Sequence, residues 1–279
     1  MVTALLGRRL ILHVGVQKTG TTSLQRFLKL RAAELADEVI VRTPEEGTPM
    51  RPLGRAAIAA SLSDDKDRRQ ALRVAFEDVL DTVPDGPQTV ILSHENLAGA
   101  MPGNGGETRL YPALPRFVKI LRKCAQARGF SSEVVLYTRQ MLSWRPSVWA
   151  QAVRTDGYAD TFQTFMERTA DLPEWEDLVD RLRAALGSDV VTRLRLEDET
   201  DLGRPGRQLL LHAGITAARI DALAPLDGTA MERLNGGSTE FLRQLNGLAL
   251  NPHARDRVAD LVARAQYLFT ADAPSEGTL

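Results

Sequence analysis

The stretch Leu10-Ile11-Leu12-His13-Val14, followed by Gly15-Val16-Gln17-Lys18-Thr19-Gly20-Thr21-Thr22-Ser23, constrains this chain more than any other. The apolar run is short, is bounded by Gly15 and reads as a buried strand. Beyond the Gly/Thr loop, Leu24, Phe27, Leu28, Ala32 and Leu35 recur at three- and four-residue spacing, which sets them on one face of an amphipathic helix. Strand, glycine loop and helix in that order commit the opening to an α/β architecture. Such a loop also offers convergent backbone N–H groups and the positive end of a helix dipole to an anion.

The rest of the chain repeats the alternation. Residues 42–65 read as a long surface excursion with a short helix around 56–62. A helical stripe from Leu72 to Val83 leads to a strand at Val90-Ile91-Leu92, whose end delivers Ser93, His94 and Glu95. A helix over 114–127 carries Phe117, Ile120, Leu121 and Cys124 inward, and 133–138 is a strand that ends at Arg139. Helices are expected near 143–153, 161–169 and 174–186, with Gly187 as a C-cap, before a strand over 190–196. The remainder reads as helical: 206–213, 238–248, and a last helix with Asn251 as N-cap and Pro252 at its first position. Strands alternating with helices predict one α/β domain over 1–279, with a helical C-terminal part at about 200–270. The architecture is three-layer, a central parallel β-sheet flanked by helices. Ligands of such sheets sit beyond the C-terminal strand ends, so the glycine loop, the Ser93-His94-Glu95 turn and the Arg139 turn should converge at one edge.

Composition narrows the function classes. A formal net charge of -1 lacks the basic excess of a protein that grips nucleic acid through its phosphates, so a small anionic ligand fits better than a polymer. One cysteine, Cys124, leaves no intrachain disulfide and no thiolate-rich metal site, and no metal is expected. No run resembles a membrane span or a signal h-region, so a cytoplasmic protein without stable membrane insertion is expected. Arg supplies 30 and Lys 5 of the 35 basic residues, a bias that hints at a GC-rich bacterial source.

The loop has the outline of a Walker A sequence, with one decisive difference. In G-x-x-x-x-G-K-[ST] the lysine follows the second glycine; here Thr21 stands there and Lys18 lies inside the loop. This K-T-G-T-T-S-L placement after a strand resembles the 5′-phosphosulfate loop of the sulfotransferases that use 3′-phosphoadenosine 5′-phosphosulfate (PAPS). The matching residues are Lys18, Thr19, Gly20, Thr21, Thr22 and Ser23. A second segment agrees: Arg139 just past a strand, with Ser147 eight positions later, matches the family's contacts to the 3′-phosphate. A guanidinium fork and a hydroxyl suit that group.

The resemblance implies a P-loop-like sulfotransferase fold, PAPS as co-substrate with adenosine 3′,5′-bisphosphate as product, and a glycan, lipid or small-molecule acceptor. In that reading Lys18 stabilises the leaving phosphate, and either His94 or Glu95 takes the acceptor proton. Both forms occur in the family; the form S-x-E-N-L favours Glu95, and the pattern as a whole does not separate the two. The segment Arg195-Leu196-Glu197-Asp198 resembles the family's R-x-E-D segment, whose role is mainly structural. No counterpart of the R-K-G loop and no adenine-clamping aromatic is evident. Trp144, Trp149 and Tyr158 read as core residues rather than pocket walls, and His13 and His212 as packing residues. Two other functions remain: a P-loop kinase acting on nucleotides or small molecules, and a non-catalytic nucleotide-binding module.

Overall fold

In the computed structural model, which describes residues 7–63, 65–227 and 234–270, the elements run β1 (Arg8–His13), α1 (Thr21–Arg31), β2 (Val39–Arg42), α2 (Met50–Leu62), α3 (Lys66–Leu80), β3 (Thr89–Ser93), α4 (Leu114–Ala127), β4 (Phe130–Thr138), α5 (Met141–Thr155), α6 (Phe162–Arg168), α7 (Trp175–Leu186), β5 (Val191–Arg195), α8 (Arg207–His212), α9 (Ala217–Asp221), α10 (Gly236–Asn246) and α11 (Pro252–Arg264). The five strands form one sheet of order β2-β3-β1-β4-β5, and every pairing is parallel. Helices cover both faces, as the alternating pattern predicts.

The chain divides into two compact units. The first comprises Met1–Met101, Leu110–Met141 and Pro173–Ala230, and holds the sheet. Successive strand residues point to opposite faces. Ile11, Ile91, Val135 and Tyr137 accordingly meet Leu24, Phe27 and Leu28 of α1, Leu209 and Leu210 of α8 and Ile220 of α9. Leu10, Leu12, Val90, Leu92, Val134 and Leu136, also inaccessible to solvent, lie on the face covered by α4 and its neighbours α3 and α7. Both faces are apolar because a parallel sheet is buried on both sides.

The second unit comprises Pro102–Arg109, Leu142–Leu172 and Met231–Leu279. Its core gathers Val153, Leu242, Ala259 and Val262, with Trp149, Tyr158 and Phe269 packed against them. Trp144 is also fully buried, so the three aromatics are packing residues as expected. Asn251 caps α11 through its side chain, which accepts from the His253 N–H at 2.9 Å, with Pro252 at the first helical position.

Several expectations needed correction. The strand β2 at the sheet edge and the short α9 had no clear periodic signal and went unread. The helix at 56–62 extends back to Met50, because Met50, Leu53, Gly54, Ala57 and Ala60 form a buried stripe in which three residues are too small to stand out as apolar. Helix α1 begins at Thr21 rather than after Ser23. His212 is not simply packed: its Nε2 lies 3.1 Å from Glu133 Oε2, and Glu133 also accepts from Arg9. Among the described residues no helix is long and apolar enough to cross a membrane.

Candidate anion cradle and transfer site

The cradle is built by the turn from β1 into α1. Gly15 has φ +90° and Gly20 φ +83°, a left-handed region that favours glycine, and both also stand against neighbours. A Cβ on Gly15 would fall 2.7 Å from Glu95 Cα, and one on Gly20 would fall 2.9 Å from Leu196 Cδ1. The loop is therefore clasped at one end by the turn after β3 and at the other by the segment after β5. Lys18, itself at φ +66°, is half-buried between them.

Not every hydroxyl of the loop faces outward. Thr19 Oγ1 donates to the Val16 carbonyl at 2.6 Å and Thr21 Oγ1 reaches the same oxygen at 3.2 Å. Both are buried and brace the loop from inside, whereas Thr22 is exposed and Ser23 half-buried at the helix start. Helix α1 has no side-chain cap and no acidic residue in its first turn. Its first amides are orphan donors carrying the positive end of the dipole, which suits an anion. Other helices of the chain do carry a side-chain cap, such as Asp65 on α3 and Thr161 on α6.

The turn after β3 separates the two base candidates. His94 is extended and caps the one-turn 3₁₀ helix over Glu95–Ala98, its Nδ1 accepting from the Asn96 N–H at 3.3 Å. Its ring is 4 % exposed and lies under α2, where a Cβ on Gly54 would come 2.0 Å from Nε2. Burial lowers its pKa, against the Glu95 charge and a backbone hydrogen bond at Met50, which oppose the shift. Glu95 keeps a quarter of its side chain exposed, and its Oε2 accepts from Gln25 Nε2 at 2.9 Å. The same amide donates to the Ser93 carbonyl at 3.1 Å, so α1 fixes this carboxylate from behind.

Arg139 follows β4 and is half-buried. Its carbonyl accepts from Trp175 Nε1 at 2.6 Å, and its Nη1 reaches the Lys18 carbonyl at 3.5 Å. Next to it a cavity of about 490 Å³ opens beyond the ends of β4 and β5, lined among others by Arg139, Trp175, Arg193, Arg195, Glu197 and Gln208. Arg193 is committed to Thr138 Oγ1 at 2.9 Å, and Glu197 accepts from the Gln140 N–H at 2.8 Å.

The first unit thus brings together Lys18, Thr19, Gly20, Thr21, Thr22, Ser23, His94, Glu95 and Arg139, since β3, β1 and β4 are adjacent and parallel. Ser147 belongs to the second unit, where its Oγ donates to the Ser143 carbonyl at 3.1 Å. Sequence reasoning missed Gln25, Gly54 and Trp175. Gln25 did leave a signal: it sits four residues after Thr21 and three before Leu28, a polar residue on the buried stripe of α1.

The chain matches no family model, and no curated protein matches its sequence. Among solved structures it is similar to a sulfotransferase from Alicyclobacillus acidocaldarius, at 15% sequence identity and a TM-score of 0.49, over 90% of this chain and 95% of that one.

Proposed function

We propose that this chain transfers a sulfuryl group from PAPS to a hydroxyl or amine of a glycan, lipid or small-molecule acceptor. The observation that carries the reading is the junction at Gly15. There the carboxylate-bearing residue Glu95 rests against the start of a loop whose only cation, Lys18, stands three residues on. A base at one end of a short loop and a leaving-group cation within it are what in-line group transfer requires.

In this reading the α1 amides, with Thr22 and Ser23, hold the 5′-phosphate, and Arg139 takes the 3′-phosphate in a two-pronged contact. Glu95 accepts the proton of the acceptor as its oxygen or nitrogen bonds to sulfur. The bond from sulfur to the bridging phosphate oxygen breaks, and the Lys18 ammonium meets the charge that grows on that oxygen. His94, buried and lowered in pKa, caps the turn that presents Glu95 and so positions the base. Gln25 orients the carboxylate through its amide. A lysine after the second glycine, the hallmark of the kinase loop, is replaced by Thr21, whose hydroxyl is spent on Val16.

Calorimetry with adenosine 3′,5′-bisphosphate and with ATP tests the reading directly: the bisphosphate should bind and ATP should bind far more weakly. Transfer of radiolabelled sulfuryl from PAPS into a panel of acceptors should accompany it. Lys18→Ala should lower kcat and kcat/KM together by about 10²–10³-fold, the cost of losing one transition-state charge contact. Binding of ATP without the bisphosphate overturns the proposal.

A further inference from the structure

The N-terminal ends of β1 and β4 lie at the edge of the sheet opposite the cradle, and a groove of about 530 Å³ opens there. Lys119, Arg122 and Lys123 of α4 line it together with Ser131 and Ser132 of β4, and no carboxylate is among its described lining residues. Helix α4 contains no acidic residue. Of the carboxylates on the elements packed beside it, Glu133 pairs with Arg9 and His212, Asp177 with Arg181, Glu176 with Arg193 and Glu77 of α3 with Arg73, while Asp180 stands 3.9 Å from Arg183.

Arg122 is held in place by neutral groups. Its Nε donates to the Ser132 carbonyl at 3.1 Å and its Nη1 to the Leu186 carbonyl at 3.2 Å. Carbonyl acceptors at Nε and Nη1 fix the guanidinium without cancelling its charge, so its Nη2 side is preorganised for an oxyanion. Lys119 and Lys123 stand one helical turn apart on either side of it, both exposed, and among the described residues neither has an ion-pair partner. None of the three serves the helix dipole, because the last turn of α4 holds no basic residue. Lys123 also borders a second cleft, lined by Lys66 and by Arg73 of α3, the latter paired with Glu77.

We propose that this groove is a second anion site, separate from the cradle, for a compact ligand bearing two or more phosphate or sulfate groups. One tetrahedral oxyanion engages the Nη2 side of Arg122 and a neighbouring one spans Lys119 and Lys123. A single anionic group would leave most of this charge unanswered.

The test titrates the full chain by calorimetry at about 0.15 M salt, so that weak surface attraction is screened, and reads the groove's share as the binding lost on substituting its lysines, the cradle being intact in both proteins. The two probes are inorganic tripolyphosphate and sucrose octasulfate. Binding of the first that depends on the groove lysines identifies a phosphorylated ligand, and of the second a sulfated one; either supports the site. Adding Lys119→Ala and Lys123→Ala should weaken that binding at least tenfold, with the thermal midpoint unchanged because both side chains are exposed. Absence of binding by both probes, or equal binding after the two substitutions, overturns the proposal. Neither result bears on the cradle, whose own test is bisphosphate binding by the wild type.

Discussion

Gly54 and His94 are packed so closely that a Cβ on the glycine would lie 2.0 Å from the imidazole Nε2. The glycine stands in the interior of α2, where it costs about 1 kcal/mol relative to alanine, and the contact explains its presence. The helix closes over a buried, neutral histidine that caps the turn presenting Glu95. The long excursion between β2 and α3 is therefore part of the scaffold of the site.

Gly54→Ala should destabilise the protein by about 1–3 kcal/mol, because the imidazole is enclosed and either α2 or the turn must shift. In a His94→Ala background the same substitution should become neutral or stabilising, by up to about 1 kcal/mol, as helix propensity reasserts itself. Urea denaturation of the four proteins reads this sign reversal as a coupling between the two sites. Additive effects would show that the contact is unimportant.

If the proposed function holds, Glu95→Gln reduces sulfuryl transfer by about 10²–10⁴-fold, the range for loss of a general base. His94→Asn keeps an N-cap side chain and should cost less than about tenfold. Steady-state kinetics on both variants, with circular dichroism to confirm folding, separates the roles. An equal loss in a folded His94→Asn protein would return the histidine to the reaction.

His13 is inaccessible, its Nδ1 is 2.7 Å from Ser93 Oγ, and burial pushes its pKa down to about 3. In the unfolded chain the ring takes up a proton below its ordinary value of 6.5, whereas in the fold it stays neutral. The unfolded state then binds more protons, and stability falls as pH drops from about 6.5 toward 3, by about 1.4 kcal/mol per pH unit. His94, also lowered, acts in the same direction. The free energy of unfolding measured from pH 7.5 to 4.5 should show this slope, and His13→Gln should flatten it. A slope unchanged by that substitution would refute the assignment.

Asp156 in the second unit behaves oppositely. Burial raises its carboxyl to about 6, and its Oδ2 has no hydrogen-bond partner, while Oδ1 accepts from Thr155 Oγ1 at 3.0 Å. The unfolded chain ionises from its ordinary value of 3.8 upward, so stability is lost as pH rises from about 4 to 6 and stays lost above. Asp156→Asn, which mimics the protonated form, should stabilise at pH 7.5 by up to about 2–3 kcal/mol and give no gain at pH 4. Thermal melts at the two pH values check it, and an equal effect at both would exclude ionisation as the cause.

Residue spacing alone determined the parallel three-layer architecture, the loop between β1 and α1, and the gathering of the turns after β1, β3 and β4 at one sheet edge. These follow from local periodicity and from the rule that parallel strands end together. The ends of α4 at Leu114 and Ala127 and the caps at Gly187 and Asn251 were legible for the same local reason. Tertiary structure alone decided what each polar group faces. His94 and Glu95 are neighbours in sequence, and only the approach of α2 through Gly54 encloses one while Gln25 on α1 orients the other. Thr19 and Thr21 read as loop hydroxyls equal to Thr22, until the fold of the loop turns them onto the Val16 carbonyl. Burial and hydrogen-bond partners are set by residues distant in the chain, and no local pattern carries that information.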